Sequence, residues 1–295
     1  MNKALAIRGI GELGRGLTTV VSYPDRGNYG DNKWRGNCSG ELIKDLLEYA
    51  QPKKAFDPMV GSGTFIDVCR ELGINHFALD LNPLYGGWDA LNDEIPESYD
   101  FAFWHPPYWK MIPYSGNVWG DAPDPRDLSH VPTWGEFIQK MNQIHEKLIY
   151  GLRRGGRLAI LVGDMKKCGK LYSMMKDMAW YGNPENVLIK IQHNADSYKK
   201  KYAGTKLIPI VHEYVLLFKR EDCYIIPQRV TQLVEVDIRT KKEQTWRDVV
   251  HAAMEALDGK ATLKQLYQEI AGHKKCENNP NWPAKVRQIL QLCKD

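Results

Sequence analysis

Apolar positions recur at helical spacing in two long stretches of the first 220 residues. Over 39–49, Leu42, Ile43, Leu46 and Leu47 share one face and Ser39 stands where an N-cap would. A second helix is predicted over 136–152. Around them lie short apolar runs of strand length. The run ending in KKAF enters a glycine-rich turn, DPMVGSGT, followed by a helix over 65–72 and a strand over 76–81, which makes a βαβ unit. Further buried strands are predicted at 101–104, 158–162, 187–192 and 214–218. Strands alternating with helices predict an α/β fold with a doubly wound, mostly parallel sheet.

The pattern changes twice. Residues 1–33 are rich in Gly, Asn and Asp without periodicity and read as an N-terminal arm, ahead of a main domain over 34–222. Residues 223–244 mix apolar and charged positions and read as a linker or a short β-segment. Beyond it, 245–295 carries three short amphipathic patterns: 246–257, stopped by Gly259; one beginning after Thr262; and one beginning near Trp282 and Pro283. That spacing suits a small helix-turn-helix or winged-helix module, and equally a helical cap.

Composition adds little until it is resolved along the chain. Hydrophobic residues make up 43% and charged residues 26%, enough for a full core. No apolar run nears the ~20 residues of a membrane span, and the N-terminus lacks a signal peptide's apolar stretch, so a cytoplasmic location is expected. The six cysteines form no CxxC pair and have no histidine cluster beside them, which argues against a zinc site. The net charge of +4 is uneven. Residues 1–189 hold 21 Lys/Arg against 23 Asp/Glu, whereas 190–295 hold 19 against 13. A basic C-terminal third points weakly to a phosphate-bearing partner.

Two motifs carry chemistry. Asp57-Pro58-Met59-Val60-Gly61-Ser62-Gly63-Thr64 sits at a strand-to-helix turn, where glycines let a ligand approach the backbone and the helix N-terminus offers free N–H groups. Asp80 follows 23 positions later in FALDLNP. It can accept both hydroxyls of a ribose, or simply cap the next turn. The second motif, WHPPYW over 104–109, follows an apolar strand. Two prolines fix the backbone so that the carbonyl of the first points inward. A further stretch, QHNADSYKKKYAG, interleaves Tyr198 and Tyr202 with Lys199, Lys200 and Lys201, a pattern suited to phosphate and base contact or to a solvated surface. The last predicted helix would expose Lys285, Arg287, Gln288 and Gln291.

Together these segments resemble class I S-adenosylmethionine-dependent methyltransferases, and DPxxGSGT with DxNP resembles the DNA amino-methyltransferases of the adenine-N6 and cytosine-N4 type. The resemblance covers about residues 34–220, with LRRGGRLAILVGD and IPIVHEYVLLFKR similar to the family's later strands. It implies a Rossmann-like catalytic domain with S-adenosylmethionine as cofactor. Arg35, Asn37 and Ser39 in RGNCSG, with Asp57, Pro58, Gly61, Ser62, Gly63 and Thr64, would surround the methionine end. Asp80 would hold the ribose and Asp89 would reach the adenine amino group. His105, Pro106, Pro107 and Tyr108 would be catalytic. In that family a polar side chain and the first proline's carbonyl accept hydrogen bonds from an exocyclic amino group, while the aromatic ring stacks on a base flipped from the duplex.

The chain departs from the family at His105, where Asp, Asn or Ser is usual. A neutral imidazole can still accept a hydrogen bond; a protonated one cannot. The resemblance implies DNA as partner, with Tyr198, Lys199, Lys200, Lys201, Lys285, Arg287, Gln288 and Gln291 contacting it, and admits a cognate restriction endonuclease. Adenine-N6 methylation of DNA leads. Cytosine-N4 methylation, methylation of RNA or of a protein glutamine, and a non-catalytic DNA-binding regulator on the same fold remain alternatives.

Overall fold

Period-two burial builds the first of the chain's two units, residues 1–231, the second being 232–295. The computed structural model describes residues 17–193, 208–234, 236, 237, 239 and 244–292. In chain order the first unit contains strands β1 (Val20–Ser22), β2 (Ala55–Asp57), β3 (His76–Ala78), β4 (Tyr99–Trp104) and β5 (Leu152–Val162). A hairpin follows, β6 (Asp164–Lys167) and β7 (Lys170–Ser173), then β8 (Trp180–Tyr181), β9 (Asn183–Ile191), β10 (His212–Lys219) and β11 (Gln228–Arg229). Seven of these form one sheet in the order β3-β2-β4-β5-β10-β9-β1. Neighbours are parallel except β10, which is antiparallel to both β5 and β9.

Alternate side chains along the strands enter two cores, one on each face. On one face Phe101, Phe103, Ala159, Leu161, Val215 and Leu217 meet helices α1 (Gly40–Ala50) and α2 (Thr64–Glu71). On the other, Trp104, Leu158, Ile160, Val162, Leu216 and Phe218 meet α3 (Trp134–Gly151) and the short α4 (Met174–Asp177). Helices on both faces of a mostly parallel sheet make the doubly wound, Rossmann-like architecture that the alternation of elements predicts. Helix α1 buries Leu42, Ile43, Leu46 and Leu47, the four positions singled out by spacing. Ser39 occupies its N-cap position, but its hydroxyl makes no capping bond.

Chain order and spatial order differ in one respect that matters for the site. From β2 the chain moves outward to the edge strand β3, then returns to place β4 on the other side of β2. The carboxyl ends of β2 and β4 therefore open a crevice between connections that diverge, the usual ligand position in such sheets.

Several boundaries differ from expectation. The segment read as an arm contributes β1, which pairs in parallel with β9 through Val20↔Ile189. Isolated from β9, three residues of mixed polarity carry no strand signal. The division between units falls after Thr231, inside the expected linker, because Gln228 and Arg229 pair with Tyr181 and Trp180. Strand β3 ends at Ala78 rather than 81, and Asp80 makes only an isolated bridge with Gly86. The β6–β7 hairpin has no counterpart in the hydrophobic pattern, because its lysine-rich strands lack an apolar alternation.

The second unit is built of α5 (Trp246–Ala256), α6 (Leu263–Ile270), the single-turn α7 (Lys274–Glu277) and α8 (Trp282–Leu292). Capping boxes start the first two: Thr245 with Asp248, and Thr262 with Gln265. Val249, Val250, Ala253, Leu266, Ile270 and Val286 form its core. No strand occurs among its described residues. Among the described residues of the whole chain, no helix is long and apolar enough to cross a membrane.

Leu46 is fully buried in the core beneath the sheet, whereas Glu48 of the same helix is exposed. Leu46→Ala should lower the unfolding free energy by about 2–5 kcal/mol, and Glu48→Ala should change it by less than about 0.5 kcal/mol. Urea denaturation measures both; equal effects would contradict the assigned face.

Candidate active site

The glycine-rich turn is shaped by backbone geometry before any ligand is considered. Gly61 and Gly63 have φ of +52° and +83°, the left-handed region where a side chain is strained. Gly63 is the residue that leads into α2, and its N–H donates to the Val60 carbonyl at 3.0 Å. An upstream segment clamps the turn from outside. Asp31 N–H donates to the Ser62 carbonyl at 3.0 Å, and Gly30 N–H donates to the Asp67 carboxylate at 2.8 Å. The Ser62 and Thr64 hydroxyls bond each other at 2.8 Å.

This turn forms one wall of an open cavity of about 910 Å³ at the ends of β2 and β4. Asp57, Gly61, Asp80, Asp89, Trp34 and Tyr114 are among its lining residues. Asp57 closes β2, is buried, and accepts the Met59 N–H at 2.9 Å. Burial pushes its carboxyl up to about 8, Asp80 adds to the rise, and only the Met59 hydrogen bond opposes it. Asp80 accepts Gly61 N–H at 2.9 Å through one oxygen and Asn82 N–H at 2.8 Å through the other. Its pKa is also raised by burial, which outweighs these two bonds. Each oxygen retains a lone pair for a further donor. Asp80 is thus both a turn-former and a lining residue. Asp89 is buried and engaged by its own loop, accepting Leu91 N–H at 2.8 Å and the Asn92 amide at 2.7 Å.

The second motif lies at the mouth between this cavity and another. Residues 105–108 leave the end of β4, and Trp109 follows with φ of +45°, a conformation that a non-glycine residue adopts at a cost of about 1–3 kcal/mol. Its indole holds the turn by donating to the Val131 carbonyl at 2.8 Å. His105 lines both cavities, Pro107 the first and Pro106 the second. The second cavity is wider, about 2170 Å³, and is lined by Tyr108, Glu213 and Lys190 with the basic side chains Arg26, Lys166 and Lys167.

Burial pulls the His105 imidazole down to about 4; Glu213 opposes that shift and Lys190 supports it. The ring is therefore neutral at physiological pH. It meets Tyr108 edge-on, with centroids 5.6 Å apart at 72°. Tyr108 donates its phenol hydrogen to Glu213 at 2.7 Å, and Lys190 donates to the other oxygen of Glu213 at 2.8 Å. Glu213 and Lys190 are direct partners across β10 and β9.

Most of the residues expected at the site are brought together, with exceptions. Asn37, Asp57, Pro58, Gly61, Ser62, Thr64, Asp80 and Asp89 line the first cavity. Gly63 does not line it and acts through the turn. Arg35 is exposed and lines neither cavity, since the chain turns it outward between Trp34 and Gly36. Ser39 lines the second cavity, not the first, and its buried hydroxyl has no partner among the described residues. Tyr198, Lys199, Lys200 and Lys201 lie outside the described residues, though His193 before them and Ile208 after them line the second cavity. In the second unit Arg287, Gln288 and Gln291 are exposed and Lys285 is half-buried. Arg287 donates to the Tyr267 hydroxyl at 2.8 Å and Lys285 to the Gln288 amide oxygen at 2.8 Å.

Residues not singled out by sequence complete the site. Trp34 stacks on Tyr114 at 6.4 Å and 28°, closing the cavity over Gly61. Asp127 orders the segment that carries Tyr114 by accepting Ser115 N–H, Ser115 hydroxyl and Ser129 N–H at 2.7–2.8 Å. Lys190 and Glu213 left a trace: each is a charged residue beside the apolar run of its strand, VLI before Lys190 and VLLF after Glu213 and Tyr214.

No protein-family profile and no curated protein sequence matches the chain. Solved structures overlap it partially. TrmN from Thermus thermophilus is 15% identical over 63% of this chain and 50% of its own, with a TM-score of 0.38. TehB from Haemophilus influenzae is 13% identical over 61% and 62%, with 0.37. The N-methyltransferase NodS from Bradyrhizobium japonicum WM9, solved with S-adenosyl-L-homocysteine, is 10% identical over 62% and 87%, with 0.37. The chain spans half the length of TrmN, and overlaps this shallow assign it no activity.

The raised Asp57 pKa has a thermodynamic consequence. An unfolded Asp57 ionises near 3.8, while the folded one keeps its proton to about 8. Unfolding in that window releases a proton, so the contribution of Asp57 to stability falls as pH rises and is fully lost above about 8. Asp57→Asn removes the ionisation and keeps an acceptor for Met59 N–H. Its melting temperature relative to wild type should therefore be higher at pH 9 than at pH 5. A difference independent of pH would mean that Asp57 is already ionised in the fold.

Proposed function

We propose that the chain is an S-adenosylmethionine-dependent methyltransferase that modifies the exocyclic amino group of a base in DNA, with adenine N6 the leading target and cytosine N4 the second. The observation that carries this reading is the position of His105-Pro106-Pro107-Tyr108. It stands where a cavity lined by carboxylates and glycine-turn backbone meets a wider one with basic side chains at its edge.

The first cavity suits the cofactor by the chemistry of its donors. Asp57 is a buried carboxyl with no cation beside it among the described residues, and a ligand ammonium would restore its charge. Asp80 has an acceptor site left on each oxygen for a diol, and Trp34 and Tyr114 offer aromatic surface for a purine. When bound, S-adenosylmethionine supplies an electrophilic methyl group. The residues of the chain prepare the nucleophile. An exocyclic amino nitrogen is weak because its lone pair is delocalised into the ring. Acceptance of one N–H by His105 and of the other by the Pro106 carbonyl would favour a tetrahedral nitrogen with its lone pair free. Tyr108 offers a face for stacking on the extruded base. The basic edge formed by Arg26, Lys166 and Lys167 suits a phosphate backbone.

The direct test is incubation with methyl-labelled S-adenosylmethionine and duplex DNA, followed by digestion to nucleosides and mass identification. N6-methyladenosine or N4-methylcytidine, in deoxy form, decides between the two bases. Label appearing only in RNA or protein would reject the DNA reading.

Only a neutral His105 can accept a hydrogen bond. Because burial lowers its pKa to about 4, the single-turnover rate should stay level as pH falls through 6.5, the range where a solvated histidine would charge, and decline toward 4. His105→Ala should lose about 10²–10⁴-fold in that rate with S-adenosylmethionine affinity unchanged. Full activity in His105→Ala would transfer the role to the Pro106 carbonyl alone.

The basic edge makes a separate expectation. Replacing Arg26 and Lys167 together by Ala should weaken binding of unrelated DNA sequences alike and reduce the slope of log K against log salt by about 1–2. An unaltered slope in fluorescence-anisotropy titrations would place the phosphate contacts elsewhere.

A further inference from the structure

We infer that Glu213, paired with Lys190, is a positioning residue that fixes the Tyr108 ring against the reacting centre. The inference rests on the methyltransferase reading for its consequence, but on geometry for its content. Glu213 and Lys190 are buried side by side on neighbouring strands, next to apolar positions such as Leu188, Val215 and Leu216. Removing two such charges from water costs several kcal/mol per ion, and an apolar pair of similar volume would stabilise the sheet at least as well. Stability therefore does not account for them.

What the pair does is visible in its contacts. Glu213 offers one oxygen to Lys190 and the other to the Tyr108 phenol. Burial alone would raise its pKa, yet Lys190, His105 and the two hydrogen bonds bring it below the usual carboxylate value. An ionised acceptor makes a bond roughly twice as strong as a neutral one. That bond sets the tilt of the Tyr108 ring but leaves rotation about its long axis free, because the hydroxyl lies on that axis. Gly163 removes this second freedom. A Cβ there would stand 2.7 Å from the ring edge, so the ring lies directly on the Gly163 backbone. His105 contacts the ring from another side. Tyr108 is thereby held in tilt and in rotation, at the edge of the second cavity.

The chain order explains how the three meet. Strand β10 runs antiparallel, so its start lies beside the ends of β5 and β9. Glu213, Lys190 and Gly163, far apart in sequence, gather at the same edge of the sheet as His105 and Tyr108.

A double-mutant cycle tests the inference. Single-turnover rates are measured for wild type, Glu213→Gln, Tyr108→Phe and the double variant. If Glu213 acts through the phenol, each single change lowers the rate about tenfold, cofactor affinity stays unchanged, and the double variant is no slower than the slower single one. Losses that multiply would overturn the inference. Should Glu213→Gln unfold because Lys190 is left unpaired, Glu213→Gln/Lys190→Gln removes both charges together and enters the cycle instead. A second readout needs no activity. With 3-fluorotyrosine in place of tyrosine, the Tyr108 fluorine resonance, assigned by its loss in Tyr108→Phe, should be sharp in wild type and shifted or broadened in either Glu213 variant. An unchanged resonance would overturn the positioning role. A wild-type chain that transfers no methyl group to DNA would overturn the proposed function, and the fluorine experiment would still judge the contact.

Discussion

The placement of β2 between β3 and β4 is the constraint on which the rest of the molecule depends. Because β3 and β4 lie on opposite sides of β2, the loops leaving β2 and β4 diverge and cannot fill the space between them. Asp57 therefore ends in a crevice rather than in a core. The same arrangement sets the glycine turn and Asp80 along one wall and His105 along the other. A sheet in which β3 and β4 followed β2 on the same side would hold every motif of this sequence and no cavity between them.

The second constraint is electrostatic. Burial penalises a charge unless a partner compensates it, and the site uses both outcomes within one small region. Asp57 has no cation near it among the described residues and keeps its proton to about 8. Glu213 has Lys190 and stays ionised. His105 lies among these groups and remains neutral because desolvation outweighs the attraction of Glu213. Three ionisable side chains thus hold three different states at one pH, each set by what stands beside it. A histidine at position 105 is compatible with an acceptor role in this setting. A histidine exposed to water would charge near 6.5 and lose its acceptor; one enclosed here does not.

Two segments outside the regular fold finish the site. Residues 27–37 close over the glycine turn and supply Trp34, while residues 112–131 fold around Asp127 and supply Tyr114. Their meeting, ring on ring, covers a cavity that the sheet alone would leave open. Gly30 shows how close the approach is: a Cβ there would lie 2.5 Å from the Thr64 hydroxyl, at a φ of +63°. The turn and its cover are one packed object, which is why a glycine is needed on each.

By itself the sequence determined what depends on short-range pattern. Leu42, Ile43, Leu46 and Leu47 had to form one helix face, alternating apolar residues had to form the strands that follow, and Gly61 and Gly63 had to turn the chain where a side chain could not. Spacing likewise placed Asp57 and His105 at strand ends, whereas Asp80 lies beyond the end of β3 at Ala78. What only the tertiary structure decided are the relations across distance. Lys190 and Glu213 meet only because β9 and β10 pair in register. Trp34 and Tyr114 lay in stretches without periodicity, and Val20–Ser22 became a strand only because β9 offered an edge. Arg35 and Ser39, one and five residues beyond Trp34, were carried away from the first cavity by the path of the chain. Local pattern reports the backbone's own preferences within a few residues, but a partner 20 or 100 residues away enters the energy only after the sheet has closed.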